Sequence, residues 1–285
     1  MIPAAFDYVR PSTVDDAVAA LAAAGEDGKV LAGGQSLLPV LRMRLSHPST
    51  LVDLGRINSL RGVRDDGDAL VIGAMTTHDE VLRDPLVAQH APLLAQAAAT
   101  VGDPQVRHVG TLGGSLSHAD PAADLPTVAL TLDASLEVIG PSGSRTVPAR
   151  DFFVDYFTTA LAPDEMLTAV RVPKLGAGWT THYEKFNRVA QAWAIVAVAA
   201  AVRRSDGSVG EARVGLGNMG STPLRASAVE NALAGADASA DAVRAASEHA
   251  AEGTHPPSDV SGGADYREHL ARVLTRRAVL AAASI

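Results

Sequence analysis

Residues 107–126 read "RHVGTLGGSLSHADPAADLP", and residues 31–39 read "LAGGQSLLP". Both stretches contain a double glycine that is followed within two positions by a serine. Because glycine has no Cβ, its backbone N–H can come close to an anion, and several such groups in a tight turn can surround one. We therefore expect the two glycine segments to hold one ligand together, through a diphosphate group. Two ordinary turns are the alternative interpretation of the same residues.

The first glycine segment follows an apolar run, "KVLA", and precedes Pro39, a residue suited to the first turn of a helix. This order predicts strand, loop and helix, so the amides and the positive dipole end of that helix would also attract the diphosphate. The side chains of Ser36, Thr111 and Ser115 can donate further hydrogen bonds. Asp124 is placed to accept hydrogen bonds from sugar or ribityl hydroxyls.

Composition excludes several classes of function. The 285-residue chain has a formal net charge of −8 and no basic stripe with interleaved aromatics, so no nucleic-acid partner is expected. It has no cysteine, which excludes disulfides, thiol catalysis and Cys-ligated clusters within this chain. Its nine histidines form no H-E-x-x-H pair, so no metal site is expected. It begins without a signal-peptide pattern and has no apolar run of membrane-spanning length, which predicts a cytoplasmic protein.

Periodicity and turn signals predict an α+β chain with a boundary near Gly176, inside the connector "KLGAGW". Before this boundary, the pattern predicts one continuous helix over residues 86–101 and a loop over residues 110–115. After it, we expect three strands followed by three helices, near residues 223–233, 240–252 and 265–283.

The stretch "GLGNMG", residues 215–220, matches the G-x-G-x-x-G dinucleotide fingerprint in its letters. That fingerprint needs a βαβ unit with a parallel strand, whereas helices alone are expected to follow here. Asp237 has about the spacing of the acidic residue of such a site but lies in no predicted strand. We therefore favour a glycine-rich strand packed under a helix.

Four longer stretches carry a family resemblance: "AGGQSLLP", "DPQVRHVGTLGGSLSHADPAADLP", "DFFVDYFTTALAPDEML" and "YEKFNRVAQAWAIVAVAAAV". They resemble the FAD-binding medium subunit of the molybdenum hydroxylases, the xanthine dehydrogenase family, and the match runs along the whole chain. Within that family, "SLLPVLRMRL", "VIGAMTTHDEV" and "DPQVR" are most similar to the branch of the aerobic carbon monoxide dehydrogenases. Relatives that act on N-heterocycles or aromatic acyl-CoA share most of these stretches.

The resemblance implies an FAD-binding domain of the vanillyl-alcohol-oxidase (PCMH) type over residues 1–176, with subdomains over about 1–57 and 58–176. It implies a C-terminal α+β domain over residues 177–285, with three antiparallel strands and three helices. The residues that it assigns to the FAD site are Val30, Leu31, Ala32, Gly33, Gly34, Gln35, Ser36, Thr111, Leu112, Gly113, Gly114, Ser115, Asp124, Leu161, Lys185 and Trp193.

These residues take different implied roles. The two glycine segments would hold the FAD phosphates, and Asp124 the ribityl or ribose hydroxyls. Leu161 would approach the isoalloxazine ring through its backbone, and Lys185 and Trp193 would lie near the ring. Lys185 or Arg188 near N1 and O2 of the ring would raise the flavin potential. Gln35 stands where covalent flavoenzymes of this fold often have a histidine, so non-covalent FAD is expected.

The resemblance also implies partners. A large subunit would carry the molybdopterin-bound molybdenum, and a small subunit would carry two [2Fe–2S] clusters, in a dimer of heterotrimers. The FAD of this chain would pass electrons to quinone, NAD or oxygen, either in the cytoplasm or with the complex bound at the inner face of the membrane. Carbon monoxide is the expected substrate of the complex. The alternatives are an N-heterocycle or acyl-CoA hydroxylase, a self-sufficient flavin oxidase, and an assembly module without flavin.

Overall fold

The computed structural model describes residues 2–285 as an α+β molecule with four β-sheets. Within this range, no helix combines the length and the apolar character needed to cross a membrane. Short 3₁₀ turns at residues 25–27, 54–56, 58–60 and 248–251 join some of the longer elements. The predicted α+β class is confirmed.

The first sheet is small and entirely parallel, with its third strand in the centre. Its strands are β1 (Asp7–Val9), β2 (Gly28–Leu31) and β3 (Thr50–Asp53). Helix α1 (Val14–Ala24) connects the first two strands and buries its apolar face on the sheet, and α2 (Leu37–Arg42) follows β2. The first glycine segment therefore leaves the end of a strand, as the sequence predicts.

The second sheet is antiparallel, with the strand order β4-β5-β10-β6-β7. Its strands are β4 (Val63–Asp65), β5 (Ala69–Gly73), β6 (Ser135–Gly140), β7 (Gly143–Pro148) and β10 (Met166–Pro173). A two-stranded hairpin, β8 (Phe153–Asp155) and β9 (Thr158–Thr159), lies between β7 and β10 in the chain. The helices of this part are α3 (His78–Arg83), α4 (Pro85–His90), α5 (Pro92–Ala99), α6 (Pro104–Arg107), α7 (Leu112–His118), α8 (Asp124–Thr131) and α9 (Ala149–Phe152).

The single helix expected over residues 86–101 is wrong, because the chain bends at Ala91. Pro92 has no N–H to donate, and it disfavours helical backbone in the residue before it, so α4 ends and α5 begins there. Asp84 caps α4 through hydrogen bonds from the amides of Leu86 and Val87.

The last part of the chain is an antiparallel sheet covered by helices. Its strands are β11 (Trp179–Phe186), β12 (Val196–Ser205), β13 (Ser208–Gly217) and the two-residue β14 (Leu224–Arg225). Its helices are α10 (Ser227–Leu233), α11 (Ala240–Ser247) and α12 (Ala264–Ala283). The expected three strands and three helices are present, and β14 adds a short edge strand to them.

The largest apolar core extends across the predicted boundary near Gly176. It joins buried residues of β5, β6, β10 and the helices α3, α4, α5, α7 and α8 to Tyr183, Ala197 and Ala199 of the C-terminal sheet. A second core lies inside the C-terminal part, and a third one lies under the parallel sheet. The C-terminal sheet is thus packed directly on α5 and on α8, the helix that follows the second glycine segment. The division at Gly176 stays a prediction from the sequence.

The stretch "GLGNMG" is the end of an antiparallel strand, and a β-hairpin precedes it rather than a βαβ unit. Gly215 and Gly217 lie against α8, where a Cβ on Gly215 would come within 2.1 Å of Oγ1 of Thr131. A Cβ on Gly217 would come within 2.7 Å of Oγ1 of Thr127. The glycines therefore allow a helix to pack closely on the strand, and the dinucleotide interpretation is wrong.

We expect Gly215→Ala to lower the free energy of unfolding by about 1–3 kcal/mol, because its Cβ must displace Thr131 from a close-packed contact. Chemical denaturation of the full chain measures this change. Gly210→Ala is the matched control in the same strand, since its Cβ would lie 3.4 Å from its neighbours, an ordinary contact. Equal stability of the two variants would contradict the packing role of Gly215.

Candidate functional site

The first glycine segment presents unused backbone donors. Within residues 2–285, the amides of Gly33, Gly34, Gln35 and Ser36 donate to no protein acceptor. Gly34 has φ +70°, a conformation that glycine adopts without strain. The hydroxyl of Ser36 makes no cap bond to α2. Four successive N–H groups and one hydroxyl are thus available to an anion.

The second glycine segment differs from the expected loop, because residues 112–115 form the first turn of α7. Thr111 is the N-cap and accepts from the amide of Gly114 at 3.1 Å. The amides of Leu112 and Gly113 donate to the carbonyls of Thr76 and Ala74, both at 2.9 Å. These donors are therefore already used inside the protein. What the segment offers to a ligand is the half-buried hydroxyl of Ser115.

The two glycine segments lie in contact. A Cβ on Gly33 would come within 2.2 Å of the carbonyl oxygen of Val109 and 2.8 Å of Cα of Gly110. A Cβ on Gly114 would lie 3.4 Å from Cβ of Ala32. The expectation that both segments belong to one site agrees with this geometry. Gly33 has a packing role of its own, since any side chain there would push the segments apart.

His78 packs against Gly110, on the segment that contacts Gly33. Its amide donates to the carbonyl of Gly110 at 2.9 Å, and its ring lies against the same residue. The side chain is buried, and its Nδ1 has no hydrogen-bond partner among the described residues. Burial, together with the nearby charge of Arg107, lowers the pKa of His78 from 6.5 to about 4. At neutral pH His78 is thus an uncharged support for the segment that touches Gly33.

Asp124 and Lys185 form a buried ion pair between α8 and β11. Nζ of Lys185 lies 2.9 Å from Oδ2 of Asp124, and the two side chains are 5% and 7% exposed. Tyr183 donates to Oδ1 at 2.7 Å, and Lys185 also donates to the carbonyl of Thr100 at 3.1 Å. Burial raises the pKa of Asp124, while Lys185 and Tyr183 act in the opposite direction. Burial also raises the pKa of Tyr183 well above its usual value.

This pair gives both residues a structural role that the sequence did not indicate. The charge of Lys185 is compensated by Asp124, so its effect on a neighbouring ring is smaller than that of a free ammonium group. Arg188 lies beyond β11 and is exposed. The contacts of Asp124 and Lys185 with FAD stay predictions.

The remaining assigned residues lie on two segments. Trp193 belongs to residues 187–195, which we call the 187–195 loop, and is 62% exposed. This loop contacts the segment before α6, where Gln191 donates to Asp103 at 3.1 Å. Leu161 is half-buried against the main core, just after the β8–β9 hairpin. Val30 and Leu31 lie in β2, directly before the first glycine segment.

His78 and Tyr183 contribute to this region and were missed by the sequence reasoning, and Gly110, although part of the expected loop, was not assigned to the site. Tyr183 could have been found, because it is two residues from Lys185 in a strand and must share its face. The other two depend on contacts distant in sequence. A cavity of about 370 Å³ lies elsewhere, against residues 59–64 and the five-stranded sheet, and none of the assigned FAD residues lines it.

Known families match both parts of the chain. The family described as FAD binding domain in molybdopterin dehydrogenase matches residues 4–175. The chain belongs to this family. The CO dehydrogenase flavoprotein C-terminal domain matches residues 181–282. The family expected from the sequence is confirmed, and with it the FAD cofactor and the place of this chain as the flavoprotein subunit of a molybdenum-containing oxidoreductase.

Individual relatives of the FAD-binding subunit extend along its whole length. The chain is 40% identical over 284 residues to the carbon monoxide dehydrogenase medium chain of Hydrogenophaga pseudoflava, covering 99% of this chain and 98% of the relative. Carbon monoxide dehydrogenase from that organism has a solved structure with a TM-score of 0.97 and 42% identity, covering 100% and 99% of the two chains. Quinoline 2-oxidoreductase from Pseudomonas putida 86 gives a TM-score of 0.95 and 36% identity, with the same coverage.

We expect Lys185→Met to destabilise the FAD-binding subunit by about 3–5 kcal/mol, because it leaves a buried carboxylate without its cation. The double variant Asp124→Leu with Lys185→Met should lose less, since it removes both charges. Denaturant unfolding of the single and double variants measures the difference.

Lys174→Met is the control for the Lys185 prediction. It makes the same chemical change in an ion pair whose carboxylate, Asp65, is 46% exposed, and should cost no more than about 1 kcal/mol. A Lys185 variant as stable as this control would contradict the prediction.

The low pKa of His78 predicts a pH dependence. The unfolded chain takes up a proton at His78 near pH 6.5, whereas the folded chain does so only near pH 4. Folding stability should therefore fall as pH falls through this window, by about 3 kcal/mol from this residue. Equilibrium unfolding at a series of pH values should show that His78→Gln lacks this component. The exposed His108→Gln serves as the control, and a profile for His78→Gln that matches it would count against the assignment.

Proposed function

We propose that this chain holds FAD non-covalently and orients it to pass electrons from the [2Fe–2S] clusters of a small partner subunit to an external acceptor. A large partner subunit would carry the molybdenum centre where the substrate is oxidised. Bound FAD supplies a carrier that takes electrons singly and releases them in pairs. The chain has no cysteine, so any iron–sulfur cluster must be held by a partner.

The observation that carries this proposal is the row of four amides at residues 33–36 that have no acceptor within residues 2–285, together with the hydroxyls of Ser36 and Ser115, which also lack a partner there. Such a cluster of neutral donors fits a diphosphate, because it stabilises negative charge without a side-chain cation. Gln35 cannot form the ring linkage that a histidine forms, which supports non-covalent binding. The residues proposed to contact FAD are Val30, Leu31, Ala32, Gly33, Gly34, Gln35, Ser36, Thr111, Leu112, Gly113, Gly114, Ser115, Asp124, Leu161, Lys185 and Trp193.

The two glycine segments do not contribute equally to this proposal. The glycines at 33 and 113 are explained by contacts within the protein, since a Cβ on Gly113 would come within 2.5 Å of Cβ of Ala74. They would be needed even in an assembly module without flavin. The free amides and serine hydroxyls have no such internal explanation, and they favour the flavin-binding role.

For the substrate of the complex we propose carbon monoxide, oxidised with water to carbon dioxide. The carbon monoxide dehydrogenase relatives support this choice, at 40% identity in sequence and a TM-score of 0.97 in structure. The second candidate is hydroxylation of an N-heterocycle, favoured by the likeness to quinoline 2-oxidoreductase at 36% identity. We propose the cytoplasm as the location and a dimer of heterotrimers as the assembly.

The test of this function uses the complex copurified with its partner subunits under anaerobic conditions. Carbon monoxide should bleach the visible flavin absorbance, and quinoline should leave it unchanged. Bleaching by quinoline alone would replace the first substrate with the second. A complex without flavin absorbance would contradict the flavin-binding role of this chain, and a flavin that neither compound reduces would contradict both proposed substrates.

We expect the double variant Ser36→Ala with Ser115→Ala to weaken FAD binding by about 1–3 kcal/mol, that is, roughly 5–150-fold in Kd. Neither hydroxyl has a partner inside the described protein, so folding stability should stay unchanged. Quenching of flavin fluorescence on titration gives the affinity, and thermal unfolding gives the stability. Ser144→Ala, on the exposed strand β7, is the control, and an affinity equal to that of the control would refute the assignment of the two serines.

A further inference from the structure

Asn218, the first residue after β13, contacts two distant segments at once. It is 8% exposed and has φ +60°, a left-handed conformation that asparagine tolerates better than most residues. Its amide donates to the carbonyl of Pro121 at 2.8 Å. Its side-chain Nδ2 donates to the carbonyls of Ala194 and Ile195, at 2.8 and 3.3 Å. Through Asn218, the "GLGNMG" stretch is therefore hydrogen-bonded both to the segment at Pro121 and to the segment at 194–195.

Arg267 of α12 reinforces the same point. Its side chain is 1% exposed and donates to the carbonyl of Ile195. Its guanidinium also donates to both carboxylate oxygens of Asp259 at 2.8 Å, which compensates the buried charge. Two side chains from different elements thus satisfy the carbonyls at the end of the 187–195 loop. A buried carbonyl without a partner would be costly, so these bonds hold the backbone in one place.

The rest of the 187–195 loop is mostly exposed and is held by hydrogen bonds within the loop, from Nδ2 of Asn187 to the carbonyl of Val189 at 2.8 Å and from the amide of Ala192 to the same carbonyl at 2.9 Å. Val189 is 64% exposed and Trp193 is 62% exposed. The outer part is attached by an exposed hydrogen bond from Gln191 to Asp103. The buried anchors at 194 and 195 lie directly after Trp193 and therefore set where this side chain emerges.

We propose that Asn218 and Arg267 are positioning residues that fix the 187–195 loop, and with it Trp193, beside the FAD-binding half of the molecule. Through Pro121, Asn218 also connects this loop to the segment that leads into Asp124. The role of Trp193 at the flavin rests on the function proposed above; the fixing of the loop does not. Asn218 suits this place because one amide group supplies two N–H donors while its backbone tolerates a positive φ.

The test uses the full chain in a Trp179→Phe background, so that Trp193 is the remaining tryptophan. Asn218→Gly keeps the backbone conformation and removes the side-chain donors. Asn218→Asp keeps the volume and turns an acceptor toward the two carbonyls. Asn231→Ser, exposed on α10, is the control.

Hydrogen exchange of the bonded amides of Ala192 and Ile195, which donate to the carbonyls of Val189 and Phe186, should rise about tenfold without FAD in both Asn218 variants and stay unchanged in the control. Quenching of Trp193 fluorescence by saturating FAD should weaken in the same two variants. Restoring Asn218 should restore both signals. If either Asn218 variant folds and shows the exchange and quenching of the control, the positioning role is overturned.

A final variant separates this inference from the function on which part of it rests. Trp193→Ala should weaken FAD binding if Trp193 lies at the flavin. Faster loop exchange in the Asn218 variants, together with unchanged FAD affinity in Trp193→Ala, would support the fixing of the loop and overturn its placement at the flavin. If all variants still bind FAD and hydrogen exchange of the 187–195 loop does not change in any of them, the positioning role is overturned. The proposed function is then unaffected.

Discussion

The contact between Gly33 and the Val109–Gly110 backbone is the constraint on which the site depends. Two backbone segments approach there so closely that a Cβ on Gly33 would come within 2.2 Å of the carbonyl oxygen of Val109. This approach brings the end of the parallel sheet to the start of α7, where Ala32 lies against Gly114. His78 holds the Val109–Gly110 segment in place, because its amide donates to the carbonyl of Gly110. The site is thus made mainly by backbone packing.

Much of this arrangement follows from local sequence signals. The order of strand, glycine segment and helix at residues 28–42 was correct, because an apolar run, a double glycine and a proline each act over a few residues. The late strands and helices followed from periodicity in the same way. The start of α3 has a local cause of the same kind, because Thr77 and Glu80, three residues apart, form a capping box there.

Most errors arose where distant residues decide the outcome, whereas the break between α4 and α5 follows from Pro92, a local signal. The second glycine segment is helical because Thr111 caps it and because Thr76 and Ala74 accept its first amides. The ion pair of Asp124 and Lys185 joins residues 61 positions apart, and no local pattern indicates it. Gly215 and Gly217, which match the dinucleotide fingerprint, instead allow α8 to pack closely on β13. In these three cases a tertiary contact decides the structure, and the local sequence pattern does not predict it.

The packing of α8 on the C-terminal sheet has a consequence for how the chain can be divided. A cut in the connector near Gly176 would give a first fragment whose Asp124 has lost Lys185 and Tyr183, and whose Thr127 and Thr131 face water. The second fragment would expose Tyr183, Ala197 and Ala199, which belong to the largest shared core. Separately expressed fragments would therefore tend to aggregate or to associate with each other. A split version of the protein would have to be produced by coexpression of the two fragments. The connector near Gly176 is thus a segment across which the two predicted domains share one apolar core.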